Sequence, residues 1–343
     1  MLFRKIISAT AALVIGTAAL TACGAAGSST TQDSTVSQTD KTSDKLSIVC
    51  TIFPEYDWVK EILGENADRA QVTYLLDNGI DLHSFQPTAD DMMKISTCDI
   101  FIYVGGESDG WVENALETAE NKDIRVIELM DILGGAAKEE ELKEGMQEEE
   151  EESGEEEGEE EEPEYDEHVW LSVRNARLFC EEIERNIAEA DPEYAEAYGR
   201  NLESYTAELD MLDSDLQALA DRADIKTLVF GDRFPFRYFT DDYGFDYYAA
   251  FIGCSAETEA SFDTIAFLAQ KVNELECDTI FTLENSDKSI AETIISTSGR
   301  DARIAELDSL QSVYGEDIEN GASYISLMRK NLDVLNDVLV DKG

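Results

Sequence analysis

Short apolar runs rich in β-branched and aromatic residues alternate with amphipathic segments along the first half of the chain. The apolar runs predict strands at residues 46–53, 72–76, 99–104 and 125–129. The amphipathic segments predict helices at residues 58–63, 90–96 and 111–120. Thr88 stands where the N-cap of the second helix is expected. This alternation is typical of a parallel sheet with helices on both faces.

The second half of the chain repeats the pattern. Strands are predicted at residues 227–230, 247–252, 279–283 and 303–307. Helices are predicted at residues 236–243, 262–275 and 288–298. The sequence therefore predicts an α/β protein with two parallel sheets. A first lobe would span residues 46–190 and a second lobe residues 224–343.

A long amphipathic helix is predicted between these lobes, over residues 191–223. Its apolar side chains recur every three or four residues, at positions 194, 198, 202, 205, 209, 212, 216 and 219. At 1.5 Å per residue it would be roughly 50 Å long. A helix of this length predicts a rigid connection between the lobes.

The N-terminus has the features of an export signal. Arg4 and Lys5 precede an apolar stretch over residues 6–20, which is too short for a confident membrane span. The small residues before Cys23 resemble the lipobox of bacterial lipoproteins, which implies cleavage after residue 22 and acylation of Cys23. An ordinary secretory signal with an incidental cysteine is the alternative. Residues 23–45 are mostly polar and predict a flexible tether.

Composition narrows the range of partners. The net charge of -50 excludes nucleic acid, because phosphate binding needs clustered Lys and Arg. An acidic loop, defined here as residues 137–165, is predicted to be disordered and solvated. From Glu139 to Glu167 there are 19 acidic residues and one basic residue, Lys143.

The cysteines other than Cys23 predict neither a zinc ribbon nor a full set of disulfides. They are odd in number and show no Cys-x-x-Cys spacing; they are Cys50, Cys98, Cys180, Cys254 and Cys277. Most are expected to be buried as small hydrophobes, although one disulfide remains an alternative in an exported protein.

Four polar residues fall in loops where ligands bind in open parallel sheets, beyond the carboxyl ends of the strands. They are His83, His168, Asp232 and Glu284. Two neutral imidazoles and two carboxylates would complete the shell of one divalent cation. Each residue taken alone is more often a surface group, a turn residue or a cap, so the hypothesis rests on their matched placement.

Several motifs resemble the metal-binding lipoproteins of zinc and manganese ABC importers. They are DLHSFQPT with His83, VGGESDGWVENAL with Trp111, DEHVWLS with His168, GDRFPFRYF with Asp232 and FTLENSDKSIAETI with Glu284. The resemblance implies two similar lobes, each a parallel sheet flanked by helices, joined by one long rigid helix. It also implies a monomer, held outside the cytoplasm at the cell membrane by its lipid anchor, that captures a metal ion and delivers it to an ABC permease and its ATPase.

The resemblance assigns the metal ligands residue by residue. It implies His83 and His168 from the first lobe and Asp232 and Glu284 from the second, with Asp287 as an alternative fourth ligand. Many zinc members have a third histidine where Asp232 stands, whereas manganese members have a carboxylate. Zn²⁺ is the predicted ion, because the acidic loop and the GDRFPF segment resemble zinc members more than manganese members. Imidazole donors and the Irving–Williams order also favour it. Mn²⁺ is the alternative.

Zinc members often carry a charged, frequently His-rich loop just before the second ligand histidine, where this chain has its acidic loop. The acidic loop is interpreted either as a weak collector of cations or as an inert solubilising segment. A secreted metallohydrolase would usually show a local ligand pair such as His-Glu-x-x-His, which this sequence lacks. The sequence therefore predicts no enzyme activity, and an adhesin-type surface lipoprotein remains an alternative.

Overall fold

A parallel sheet organises the first half of the chain. The computed structural model describes residues 45–147, 164–255 and 259–340. The strands are β1 (Leu46–Cys50), β2 (Ala70–Tyr74), β3 (Ile100–Tyr103) and β4 (Arg125–Glu128). They lie in the order β2-β1-β3-β4, and every neighbouring pair is parallel. Helices separate consecutive strands, as the alternating pattern predicts.

Five helices belong to this half. They are α1 (Phe53–Leu63), α2 (Ala89–Thr97), α3 (Val112–Thr118), α4 (Leu129–Leu133) and α5 (Val173–Ala190). The N-cap predicted at Thr88 is confirmed, since its side chain accepts a hydrogen bond from Asp91 N. The prediction that Phe53 ends a strand is wrong. Phe53 begins α1, and Pro54 occupies the first turn, where its missing N–H costs no helical hydrogen bond.

The long helix α6 (Ala195–Arg222) follows, with 28 residues and a length of about 42 Å. One face of this helix is buried along its whole length. The buried residues that belong to the predicted apolar stripe are Tyr198, Tyr205, Leu209, Leu212, Leu216 and Leu219. The sequence prediction starts the helix a turn too early, because Tyr194 adopts a non-helical N-cap conformation.

Short parallel strand pairs organise the second half. The strands are β5 (Thr227–Val229), β6 (Arg233–Phe234), β7 (Asp246–Tyr248), β8 (Phe251–Ile252), β9 (Thr279–Leu283) and β10 (Arg303–Leu307). The pairs are β5 with β7, β6 with β8 and β9 with β10. An isolated parallel bridge between Phe230 and Phe281 connects the end of β5 to β9.

Five further helices complete this half. They are α7 (Arg237–Tyr243), α8 (Phe262–Glu274), α9 (Ser289–Ser298), α10 (Gly315–Glu319) and α11 (Tyr324–Leu339). The single strand predicted at residues 247–252 is wrong, because the chain leaves the ladder of β5 after Tyr248 and pairs again with β6 as β8. At that break Ala250 N donates to Asp232 O, and Ala250 O accepts from Gln147 N.

The C-terminal helix α11 returns to the first half of the chain. Tyr324 N donates to a carboxylate oxygen of Asp57 in α1, and the Tyr324 hydroxyl donates to Trp170 O, both at 2.8 Å. Tyr324 and Trp170 are fully buried and belong to the same apolar cluster as the buried face of α6. These contacts tie the two halves to one core.

Some predictions fall outside the described residues. They are the signal over residues 1–22, the lipidated Cys23, nearly all of the tether and residues 148–163 of the acidic loop. Among the described helices, none is both long and apolar enough to cross a membrane.

Candidate metal centre

His83 is fixed in a short 3-10 turn that follows β2. The Asp81 side chain caps this turn by accepting a hydrogen bond from His83 N at 3.0 Å. The imidazole Nδ1 lies 2.8 Å from the Ser108 hydroxyl, and Ser108 N donates to Glu167. With Nδ1 engaged in this chain of polar contacts, Nε2 is the nitrogen left to face a ligand.

His168 is buried completely at the first turn after the acidic loop. One carboxylate oxygen of Asp166 accepts from His168 N at 2.8 Å and lies 3.0 Å from Nδ1. The ring also packs beside Trp170, with ring centroids 5.2 Å apart. Asp166 thus fixes the orientation of the imidazole and directs Nε2 away from the backbone.

The two histidines, 85 residues apart in sequence, meet at their Nε2 atoms. The distance between these atoms is 3.1 Å. Two nitrogens bound to one tetrahedral zinc ion at 2.0–2.1 Å would lie about 3.3 Å apart. The observed separation is therefore close to that of two imidazole nitrogens bound to one zinc ion.

Burial keeps both imidazoles uncharged. It lowers the pKa of His83 to about 3, and the adjacent His168 ring contributes to that shift. Burial likewise lowers the pKa of His168 to about 4. A neutral imidazole has the free lone pair that metal binding requires, so neither ring needs to lose an added proton near neutral pH.

Cys254 is a third donor at the same position, and the sequence analysis did not single it out. One ring nitrogen of His83, one of His168 and the Cys254 sulfur all lie within 4.8 Å of one another. Cys254 follows β8 after Gly253, and Cys254 N donates to the carboxylate of Glu140 at 3.2 Å. Burial, followed by the charge of Glu140, raises the pKa of this thiol well above its usual value. The sequence signal was a Gly-Cys pair after a strand, which is weak without a spacing motif.

Among the described residues, His83, His168 and Cys254 form the group of metal-binding side chains that lie close enough together to hold one ion. Asp232 and Glu284 do not belong to this group. The Asp232 carboxylate accepts from Arg233 N at 2.9 Å and from Leu283 N at 3.2 Å. Asp232 and Asp287 share a cavity of about 390 Å³ with His83. Both carboxylates therefore lie near the histidines without joining them.

Glu284 is held by Ser309. Its two carboxylate oxygens accept from Ser309 N at 2.7 Å and from the Ser309 hydroxyl at 2.5 Å. Burial, followed by the charge of Asp308, raises the pKa of Glu284 to about 8. Cation binding by Glu284 would require its deprotonated form.

An ion pair borders the histidines. Arg233 donates to Asp81 at 2.6 Å, which joins β6 to the residue that caps the His83 turn. Burial alone would raise the pKa of Asp81, but Arg233 holds it below its usual value. The arginine thus neutralises a carboxylate next to the cation position.

The cysteines are free thiols in the structure. Four of the five described cysteines are buried, as predicted for small hydrophobes, whereas Cys254 is partly exposed. No disulfide joins any of these five positions, which the described ranges include in full. Cys254 is thus distinguished from the others by both exposure and neighbours.

The family model and the similar proteins point to the same family. Residues 48–338 match the family model ZnuA, described as "Zinc-uptake complex component A periplasmic". The chain is 30% identical over 303 residues to the zinc-binding lipoprotein AdcA of Streptococcus pneumoniae, covering 87% of this chain and 57% of AdcA. It is 29% identical over 313 residues to the high-affinity zinc uptake system protein ZnuA of Bacillus subtilis, covering 90% of this chain and 92% of that protein.

A solved structure shares the fold. The crystal structure of the Zn(II)-bound ZnuA-like domain of Streptococcus pneumoniae AdcA superposes with a TM-score of 0.66 at 27% identity. The match covers 87% of this chain and 100% of that domain. The chain therefore spans about half the length of the full AdcA protein, and the part it matches is the ZnuA-like part.

Proposed function

We propose a function for this chain from one premise: the chain belongs to the ZnuA family, the periplasmic component A of zinc-uptake complexes. It captures a single Zn²⁺ ion outside the cytoplasm and delivers it to an ABC permease that is driven by an ATPase. The ion is cargo, so the chain carries out no catalysis on it. Cys23 would carry the lipid anchor that keeps the protein at the cell membrane, where it would act as a monomer.

One observation carries this proposal, namely the 3.1 Å separation of the Nε2 atoms of His83 and His168. Two uncharged, buried imidazoles that face each other leave a position that a divalent cation fills better than water does. Two relatives that align over most of this chain are named for zinc binding or zinc uptake, which supports the choice of ion.

Zinc is favoured over manganese by the donor chemistry. Imidazole nitrogen suits Zn²⁺, whereas Mn²⁺ prefers carboxylate, carbonyl and water oxygens. For a given nitrogen site the Irving–Williams order also places zinc above manganese. Binding of Mn²⁺ would become more favourable if Asp232 and Glu284, or Asp287 in place of Glu284, completed the coordination shell. These carboxylates remain predicted ligands.

Titration calorimetry on the metal-stripped full chain tests the proposal. We expect one tight site for Zn²⁺ and much weaker binding of Mn²⁺. The double variant His83→Ala/His168→Ala should lose the tight site, whereas Phe262→Ala, at an 81% exposed position, should keep it. Circular dichroism would check that the variants are folded. Absence of a tight zinc site in the unchanged chain, or its persistence in the double variant, would contradict the proposal.

Delivery needs a separate test. Cells that depend on this chain for zinc should stop growing in zinc-limited medium when it carries the double variant, and added zinc should restore growth. If cells with the double variant grew without added zinc, a role in uptake would be contradicted, even if the unchanged chain bound zinc tightly in vitro.

A further inference from the structure

The identity of the third donor is the open chemical question at the metal centre. The sulfur of Cys254 lies within 4.8 Å of a ring nitrogen of each histidine, and the three donors come from three separate loops. This convergence places a soft donor where the sequence motifs predicted only nitrogen and oxygen.

Local packing holds Cys254 in this position. A methyl group on Gly253 would come within 2.9 Å of His168 Cε1 and Nδ1, so the backbone of this loop lies directly against the imidazole. On the other side, Glu140 accepts a hydrogen bond from Cys254 N and joins the loop to the start of the acidic loop. The backbone on either side of Cys254 Cα is thus held between the His168 ring and the Glu140 carboxylate.

The competing carboxylates are engaged elsewhere. Asp232 accepts from two backbone amides, and Glu284 accepts both hydrogen bonds that Ser309 offers. Among the described residues, neither carboxylate belongs to the group of donor atoms that lie within 4.8 Å of one another, whereas the Cys254 sulfur does. The sulfur needs a shift of about 1 Å to reach the donor spacing of a tetrahedral zinc site.

We infer that Cys254 binds the cargo ion as a thiolate, so that the protein supplies two nitrogens and one sulfur. On binding, the S–H proton leaves to water and the sulfur lone pair forms the metal–sulfur bond, with no change in oxidation state. One coordination position is left for water or an oxygen donor. This inference rests on the proposed function and narrows its cargo to ions that accept thiolate, such as Zn²⁺, Co²⁺ and Cd²⁺, and not Mn²⁺.

Cobalt provides a direct readout of sulfur ligation. We expect the metal-stripped, reduced full chain to bind one Co²⁺ with the visible bands of a tetrahedral site and a near-ultraviolet sulfur-to-cobalt charge-transfer band. Cys254→Ser should lose the charge-transfer band. Loss of a group that only contacts a metal ligand lowers metal affinity by roughly 10–100-fold, and we expect the Zn²⁺ affinity of Cys254→Ser to fall by more than this, because a ligand itself is lost. Cys277→Ser, at a buried cysteine outside the centre, should keep both properties.

A second measurement does not depend on the folding of a variant. Zn²⁺ should protect Cys254 of the unchanged chain from alkylation by a maleimide, with the modified residue identified by peptide mass mapping. Stoichiometric cobalt binding without a sulfur band, or equal alkylation of Cys254 with and without zinc, would overturn the inference and leave the proposed function standing. Failure of the unchanged chain to bind either ion would overturn both.

Discussion

Asp166 contacts His168 twice through the same carboxylate oxygen, at 2.8 Å from the backbone nitrogen and 3.0 Å from the ring Nδ1. Both residues are buried, with His168 fully enclosed. A carboxylate in this position favours hydrogen on Nδ1, and the lone pair then lies on Nε2, the nitrogen 3.1 Å from His83 Nε2.

Asp166→Ala should therefore weaken zinc binding without removing the site. We expect affinity to fall by about 10–100-fold with unchanged stoichiometry, because the ring loses its orienting partner while all donors remain. Competition against a chromophoric chelator would measure it. The exposed Asp301→Ala serves as the control, and equal affinities for the two variants would show that Asp166 does not orient the ligand.

Gly253→Ala should also weaken zinc binding, but through sterics. The added methyl group would meet the His168 ring at 2.9 Å and Phe234 O at 3.0 Å, so the ring must move or the loop carrying Cys254 must shift. A displacement of about 1 Å is enough to degrade a preorganised site.

Gly135→Ala is the matched control for this change. A methyl group there meets no atom within 4 Å, so its affinity should equal that of the unchanged chain. Calorimetry with Zn²⁺ would compare the two variants. If Gly253→Ala bound zinc as tightly as Gly135→Ala, the close approach of this loop to His168 would not matter for binding.

Local patterns were sufficient to predict most of the fold. The strands predicted at residues 279–283 and 303–307 coincide with β9 and β10. β9 (TIFTL) is buried throughout, and β10 (RIAEL) is a short segment with apolar residues at positions 304, 305 and 307. The stripe in α6 was equally clear, since its burial follows one helical face. The split between β7 and β8 was not predictable, because it depends on pairing with β6, a two-residue strand.

The metal centre was also only partly predictable from the sequence. His83 and His168 stand in distinctive motifs, and the structure brings them together. Cys254 has no spacing motif, and its position depends on how closely Gly253 packs against His168, which only the tertiary structure reveals. Asp232 and Glu284 were chosen for their loops, but Leu283 N, which donates to Asp232, and Ser309, which donates to Glu284, lie 51 and 25 residues away in sequence.

Glu55→Gln should change the pH dependence of stability. Glu55 is fully buried and accepts from Thr51 N at 2.8 Å and Ile52 N at 3.3 Å. Burial, followed by the charge of Asp109, raises its pKa from 4.5 to about 8. A raised pKa means that the stabilising contribution is complete below the unfolded value of 4.5 and is lost as pH rises through about 8.

The glutamine variant has no such proton to lose. We expect its free energy of unfolding to exceed that of the unchanged chain by an amount that grows by about 1 kcal/mol per pH unit across this window. Urea denaturation of the metal-stripped proteins at several pH values would measure it, with the exposed Glu65→Gln as control. A constant difference between pH 5 and pH 8 would contradict the raised pKa.

The role of the acidic loop in cation binding can be tested without disturbing the metal centre, if the two ends of the loop are left unchanged. The structure describes both ends. Glu139 and Tyr165 form an antiparallel bridge, and Glu140 N donates to Glu164 O at 2.8 Å. Glu140 also accepts from Cys254 N, so removing residues 139–162 would alter the centre itself. Replacing only the 12 glutamates of residues 148–162 by glutamine preserves the chain length and both ends.

If the acidic loop concentrates cations, this variant should bind zinc more slowly at low ionic strength, by several-fold in association rate. The difference should vanish at high salt, because the Debye length falls from about 30 Å at 0.01 M to about 3 Å at 1 M. Stopped-flow measurements at both salt concentrations would decide. Because the variant leaves His83, His168 and Cys254 unchanged, dissociation should not change. Equal association rates at low salt would favour the inert, solubilising interpretation of these residues.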